Sequence, residues 1–228
     1  MKVNNLLFIS ITALAFLSMQ SCKSNSNSDN QESNQYSLVN HKTVELSAIE
    51  KANLNNFFTS FSEIYLPTFS QNNIPDSVLI QFGVYYNYRN NFKMFKQIPE
   101  DSKASINQVQ VADTAFKFFS QKIKKHQAIE GVVYNNSNYV IYNADGEAYR
   151  FSQVLEMVDL GEGVYQATIE IYSASSGFTG DINGNPKTWI TNESVGDVPK
   201  SEGKMKAKIR RVNEQGKTRY VLLEYLDL

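Results

Sequence analysis

The sequence predicts an α+β domain, with three N-terminal helices packed on an antiparallel sheet of about six strands. Two observations lead there. Apolar residues recur every three or four positions between about residues 44 and 128, and every second position from about residue 130 onward. The alternating runs of the second half are also separated by Gly- and Asn-containing turns at hairpin spacing. Helices first and antiparallel strands afterwards is the order of an α+β domain.

The first helix opens at Ser47, whose pairing with Glu50 three residues on has the form of a capping box, and Leu54, Phe57, Phe58, Phe61 and Tyr65 fall on one face. Pro67 ends it, since proline cannot continue the hydrogen-bond ladder. After a loop over residues 66–75, Asp76 is placed to cap a second helix carrying Leu79, Phe82 and Tyr86. Gly83 weakens that helix by about 1 kcal/mol relative to Ala, and the run Val84-Tyr85-Tyr86-Asn87-Tyr88 has strand-like composition. A third helix carries Val109, Ala112, Phe116, Phe119 and Ile123 at steps of three, four, three and four, with His126 at its end complementing the negative pole.

The strands follow as three hairpins. The first runs through Tyr139 to Tyr142, turns at Asn143-Ala144-Asp145-Gly146 and returns to Phe151. The second joins residues 154–160 to 164–172 through Gly161-Glu162-Gly163, with Tyr165, Ala167, Ile169 and Ile171 alternating against Gln166, Thr168 and Glu170. The third joins residues 204–212 to 218–226 through Asn213 to Gly216. A Gly-, Asn- and Pro-rich excursion over residues 173–202 separates the last two. A curved sheet of the cystatin or NTF2 type is one architecture this order allows, by analogy alone.

The amino end has another character. Lys2, an apolar run over residues 6–17 and small residues up to Ser21 have the parts of a secretory leader, and the run is too short to span a bilayer. Cys22 is the only cysteine, so no internal disulfide is available to the chain. The stretch Leu17-Ser18-Met19-Gln20-Ser21-Cys22 resembles a bacterial lipobox, in the relaxed form of Bacteroidetes-type outer-membrane lipoproteins. That resemblance implies acylation of Cys22 and anchoring in the outer membrane through the N-terminal lipid, with Lys23 standing where inner-membrane retention favours aspartate. Residues 23–42, mostly Ser, Asn, Gln and Lys, read as a tether unable to bury enough apolar surface to order itself. The expected organisation is a leader over 1–21, the lipidated cysteine and tether over 22–43 and one domain over 44–228. That domain divides into a helical part, 44–128, and a meander, 130–228. The first helix, the Phe82 to Tyr88 segment, Phe118-Phe119, the Tyr142 to Gly146 turn and the Asp159 to Tyr165 hairpin look like those of uncharacterised exported proteins of gut and oral bacteria, a family that brings no activity with it.

The chemistry is bounded by what the chain carries. With 22 bases against 23 acids there is no basic excess to neutralise phosphates, so no nucleic-acid partner is expected. Two histidines, His41 and His126, make no metal cluster, and neither His-Glu-x-x-His nor Gly-x-Ser-x-Gly occurs. No phosphate loop is present and no cofactor is expected. Asp181-Ile182-Asn183-Gly184-Asn185 places oxygens at alternating positions as calcium loops do, but the glycine comes early, Pro186 takes its usual place and Asn192 stands where Glu belongs. Asp181, Asn183 and Asn185 are therefore weighed against an ordinary Asn-Gly turn. Carboxylates at Asp145, Glu147, Glu156, Asp159, Glu162 and Glu170 leave a two-acid hydrolase open. Trp189, the only tryptophan, and Phe178 lie in the polar excursion; an exposed ring there would stack on a ligand, whereas a buried one would cap the core. Lys204, Lys206, Lys208 and Arg210 share one strand face, either to meet an acidic glycan or as the wet side of a sheet. The expected role is a binding domain for a glycan, peptide or envelope partner, with an envelope hydrolase and a passive structural component as the alternatives.

Overall fold

Ser47 and Glu50 form the capping box that starts helix α1 (Ala48–Ser62): the Glu50 amide donates to the Ser47 hydroxyl and the Glu50 carboxylate accepts from the Ser47 amide. The computed structural model describes residues 42–70, 74–98, 101–143, 149–191, 197–214 and 216–228. Cys22, the leader, nearly all of the tether, Asp145 and Glu147 lie outside them. The fold is α+β. Its helices are α1, α2 (Asp76–Asn90), α3 (Gln108–Phe119) and the short α4 (Pro186–Thr191).

Strands β1 (Lys42–Thr43), β6 (Tyr149–Gly161), β7 (Val164–Ala174), β8 (Lys200–Glu214) and β9 (Lys217–Asp227) make an antiparallel sheet in that order. A second sheet, ordered β2-β3-β5-β4, uses β2 (Lys96–Ile98), β3 (Lys103–Asn107), β4 (Val133–Asn135) and β5 (Asn138–Tyr142). The expected single sheet of about six strands is thus two sheets. The second and third expected hairpins are β6–β7 and β8–β9, closed at Gly161↔Val164 and Glu214↔Lys217. The first is not a hairpin: β5 pairs with β3 and β4, while β6 belongs to the large sheet. The expected tether ends earlier, because Lys42 and Thr43 pair with Asp159 and Val158.

Helix α2 lies between two cores, which is why its sequence is apolar on more than one face. Leu79 and Phe82 join the large core with Phe58 and Phe61 of α1, Phe118 and Phe119 of α3, and the inward residues Ala167, Ile169, Ala207 and Ile209 of the sheet. Ile80 and Val84 join Val111, Ala104, Ile106, Tyr139 and Ile141 in a smaller core under the second sheet. Gly83 is where α2 and α3 touch: a Cβ there would sit 2.5 Å from the Val111 carbonyl oxygen, so only glycine allows this approach. Asp76 does not cap α2, whose N-cap is Pro75; its carboxylate instead accepts from the amides of Lys124 and Lys125 at 3.0 and 2.9 Å.

The face expected of α3 is also corrected. Val111, Ala115, Phe118 and Phe119 are buried, whereas Val109 and Phe116 are exposed. The helix closes with Ser120 in a left-handed conformation, so Ile123 and His126 lie beyond it. His126 therefore caps no helix; its Nδ1 meets the Tyr139 hydroxyl at 2.7 Å and its ring stacks near Tyr134.

Between β1 and the start of β6, one edge of β6 has no strand partner among the described residues. Side chains of α1 take that place. The Ser152 amide donates to the Thr59 hydroxyl at 3.0 Å and the Val154 amide to the Asn55 carbonyl at 2.7 Å, while the hydroxyls of Ser152 and Ser62 pair at 3.0 Å. These bonds satisfy buried groups that would each otherwise cost about 1–3 kcal/mol.

Candidate functional site

The residues singled out in the excursion serve the fold. Trp189 is 2% exposed and packs edge-on against Phe151, Tyr172 and Phe178, on the sheet face turned away from the three long helices. Its indole N–H donates to the Asp181 carbonyl at 3.0 Å. Phe178 is buried beside it, so neither ring presents a face to a ligand and the stacking role is withdrawn. The oxygens of the calcium-like segment are engaged internally: Asp181 Oδ1 accepts from the Asn183 amide, Asn183 Oδ1 from the Asn55 side chain and Asn185 Oδ1 from the Lys187 amide. Gln153, from beneath, donates to the carbonyls of Ile182 and Gly184. Asp181, Asn183 and Asn185 thus build a turn that seats α4. Among the described residues no three His, Cys, Asp or Glu side chains cluster as a metal site.

The basic stripe of β8 is interleaved with acids. Lys204 lies opposite Glu170 in the sheet, and Lys208 pairs with Glu224 at 3.8 Å. Of the acids expected for hydrolysis, Asp159 accepts from the Gly161 amide at the β6–β7 turn and Glu170 from the Ser201 hydroxyl. Glu156 and Glu162 are exposed.

The concave aromatic surface lies elsewhere, and it begins with how α1 ends. The Leu66 amide donates to the Phe61 carbonyl and the Tyr65 amide to the Ser62 carbonyl. This crossed pair is a Schellman closure, which places the residue before its last amide in the left-handed region, normally a glycine. Here that residue is Tyr65, at φ 54°. Its side chain, expected on the buried face of α1, is instead 59% exposed. One face of the ring carries the Arg150 guanidinium, 3.8 Å from the centroid.

Tyr65 forms one wall of a cleft of about 660 Å³ between the end of α1, helix α2 and strand β5. Tyr85 and Tyr88 of α2 and Tyr142 of β5 supply the other rings. Tyr142 is 65% exposed, and the Lys103 ammonium sits 5.1 Å from its centroid. Tyr88 is fixed edge-on against Phe92 and Phe95. Polar groups converge among the rings: Glu63, Gln81, Arg89 and Glu130 line the same cleft. Glu63 accepts from the Asn90 amide group at 2.8 Å, yet burial raises its carboxyl above the ordinary range, with the Asn90 bond and nearby Arg89 opposing. Burial also raises the Tyr85 hydroxyl, helped by the Glu130 carboxylate, so this phenol stays protonated as a donor. Gly131 is held where a Cβ would come within 2.9 Å of that hydroxyl, which brings the backbone onto the rim of the cleft.

Four rings with few polar groups among them can hold a ligand that has both an apolar face and many hydroxyls. Sequence reasoning missed this site because its residues come from three separate elements. The one available signal was a tyrosine two positions before Pro67, where a helix closure puts a residue in the left-handed region. Neither a family model, a curated protein nor a solved structure matches the chain.

Proposed function

We propose that this chain is an envelope lipoprotein, anchored through acylated Cys22, whose domain binds a saccharide in the tyrosine cleft. The observation that carries the binding reading is the set of Tyr65, Tyr85, Tyr88 and Tyr142 around Glu63, Gln81, Arg89 and Glu130. Tyrosine rings pair a broad apolar face with a polar tip, which suits the C–H face and hydroxyl edge of a sugar ring. The volume is within the range of small-ligand sites and takes a short oligosaccharide. Anchoring is supported by the sole cysteine directly after an apolar leader. No helix among the described residues is long and apolar enough to cross a membrane.

The test is an oligosaccharide array followed by calorimetric titration of the best binder. Tyr142→Ala removes an exposed ring and weakens binding about tenfold, equivalent to about 1.4 kcal/mol. Absence of any saccharide binding, or binding that Tyr142→Ala leaves unchanged, overturns the assignment. Choline, titrated in parallel, checks whether the rings select a cation instead.

A second reading is favoured by one observation: Glu63, with its carboxyl raised by burial, and Glu130 line the same cleft. Two carboxyl groups in one cleft, one of them raised by burial, are the parts a glycoside hydrolase uses. Incubation of the bound oligosaccharide with the chain, followed by product analysis, decides it; an intact oligosaccharide removes the catalytic reading and leaves binding.

A further inference from the structure

On the other side of Tyr65 lies a second pocket, about 510 Å³, which the cleft reading does not use. It is built by a bulge. Ile171 pairs with Gly203 and Tyr172 with Ser201, so Glu202 is the extra residue of β8, and Gly203 takes φ 135° to accommodate it. The bulge brings Glu202 into an ion pair with Arg150 of β6. The Phe69 amide and carbonyl bridge to Tyr225 of β9, closing the opposite wall with Leu66 and Pro67.

Two residues that line this pocket each carry a buried donor atom with no partner in the protein, Arg150 at Nε and Tyr225 at its hydroxyl. Tyr225 is 2% exposed, and burial raises its phenol well above the ordinary range, so it keeps its proton and donates. Buried polar groups are almost always satisfied, and an exception asks for a missing partner. Two unpaired donors ask for an acceptor, and one of them belongs to a cation, which favours a carboxylate. The rim carries Lys204 and Asp227, one of each sign, while Ile171 and Met205 supply apolar walls.

We propose that this pocket is a second binding site, for a zwitterion of amino-acid or dipeptide size. Its carboxylate accepts from Arg150 Nε and the Tyr225 hydroxyl, and its ammonium faces Asp227. The cations and acids of the pocket balance, so a ligand of net charge zero enters without leaving either sign uncompensated.

The experiment titrates the full chain with leucine, glycylglycine, acetate and methylamine, by calorimetry and by thermal shift. Leucine or glycylglycine is expected to bind and to raise the melting temperature, acetate to bind at least tenfold more weakly and methylamine not to register. Tyr225→Phe removes the orphan hydroxyl, so the unliganded variant should melt at the same or a higher temperature while zwitterion affinity falls about tenfold, the scale of one hydrogen bond to a charged group. Asp227→Asn should weaken the zwitterion and leave acetate unchanged. Tyr142→Ala, which belongs to the cleft, should leave all four titrations unchanged and so separates the two sites. No binding by either zwitterion at millimolar concentration overturns the proposal, as does binding indifferent to Tyr225→Phe. Acetate binding as tightly as leucine overturns the zwitterion assignment.

Discussion

Replacing Tyr65 by Gly and, separately, by Ala divides what its backbone costs from what its ring does. Both variants lose the ring. Because that ring is 59% exposed, little burial is lost with it, and the contact with Arg150 at 3.8 Å is worth about 0.5–1 kcal/mol. The variants differ in the backbone at φ 54°. A residue with a Cβ costs about 1–2 kcal/mol in the left-handed region, and glycine gives back about 0.5–1 kcal/mol through its freer unfolded chain. Tyr65→Gly is therefore expected to be about 0.5–1 kcal/mol more stable than Tyr65→Ala and to stay within about 1 kcal/mol of the native chain. For a domain of this size that difference is about 1–4 °C in melting temperature, and urea denaturation resolves it. Saccharide affinity, which depends on the ring, should fall equally in both. A Gly variant less stable than the Ala variant would show that the Schellman closure does not govern this position. A loss beyond about 3 kcal/mol in both would make the ring a structural prop instead of an exposed wall.

Two further outcomes follow from the packing and the charge. Trp189→Ala empties a buried site bounded by Phe151, Tyr172 and Phe178 and should cost about 3–5 kcal/mol in denaturant unfolding, with saccharide affinity unchanged in the fraction that stays folded; an unaltered midpoint would mean the indole does not cap that cluster. Glu63 has a folded-state value raised by burial above its ordinary 4.5, so the folded chain holds this proton more tightly than the unfolded chain. The stability linked to it is fully present below about pH 4.5 and is lost as pH climbs through the raised value. Glu63→Gln should therefore be more stable than the native chain at neutral pH, with the two curves meeting in acid; a gap that widens as pH falls would reverse the sign and refute the shift.

The β6–β7 and β8–β9 hairpins were legible because strict alternation and a glycine turn leave one register that buries Tyr165, Ala167, Ile169 and Ile171 together. The same alternation misled at residues 139–151, since period two reports that a segment is a strand but not which strand it joins, and β5 finds β3 upstream. The strands of the small sheet are three to five residues long, too short to carry a period. The stripe expected on α3 held the exposed Val109 and Phe116, and the close approach at Gly83 turns Val111 to the core instead. The α+β class and the capping box were readable locally. The cleft was not, because Tyr65, Tyr85 and Tyr142 meet only once the end of α1, α2 and β5 are assembled.

Helix α1 also acts as a guard. Its Asn55 and Thr59 occupy amides of β6 that would otherwise be open for another chain to add a strand. Removal of this one helix, by truncation beyond Ser62, would expose those amides and convert the large sheet into a template for intermolecular pairing. Self-association, more than unfolding, is then the failure to watch for in shortened versions of the protein.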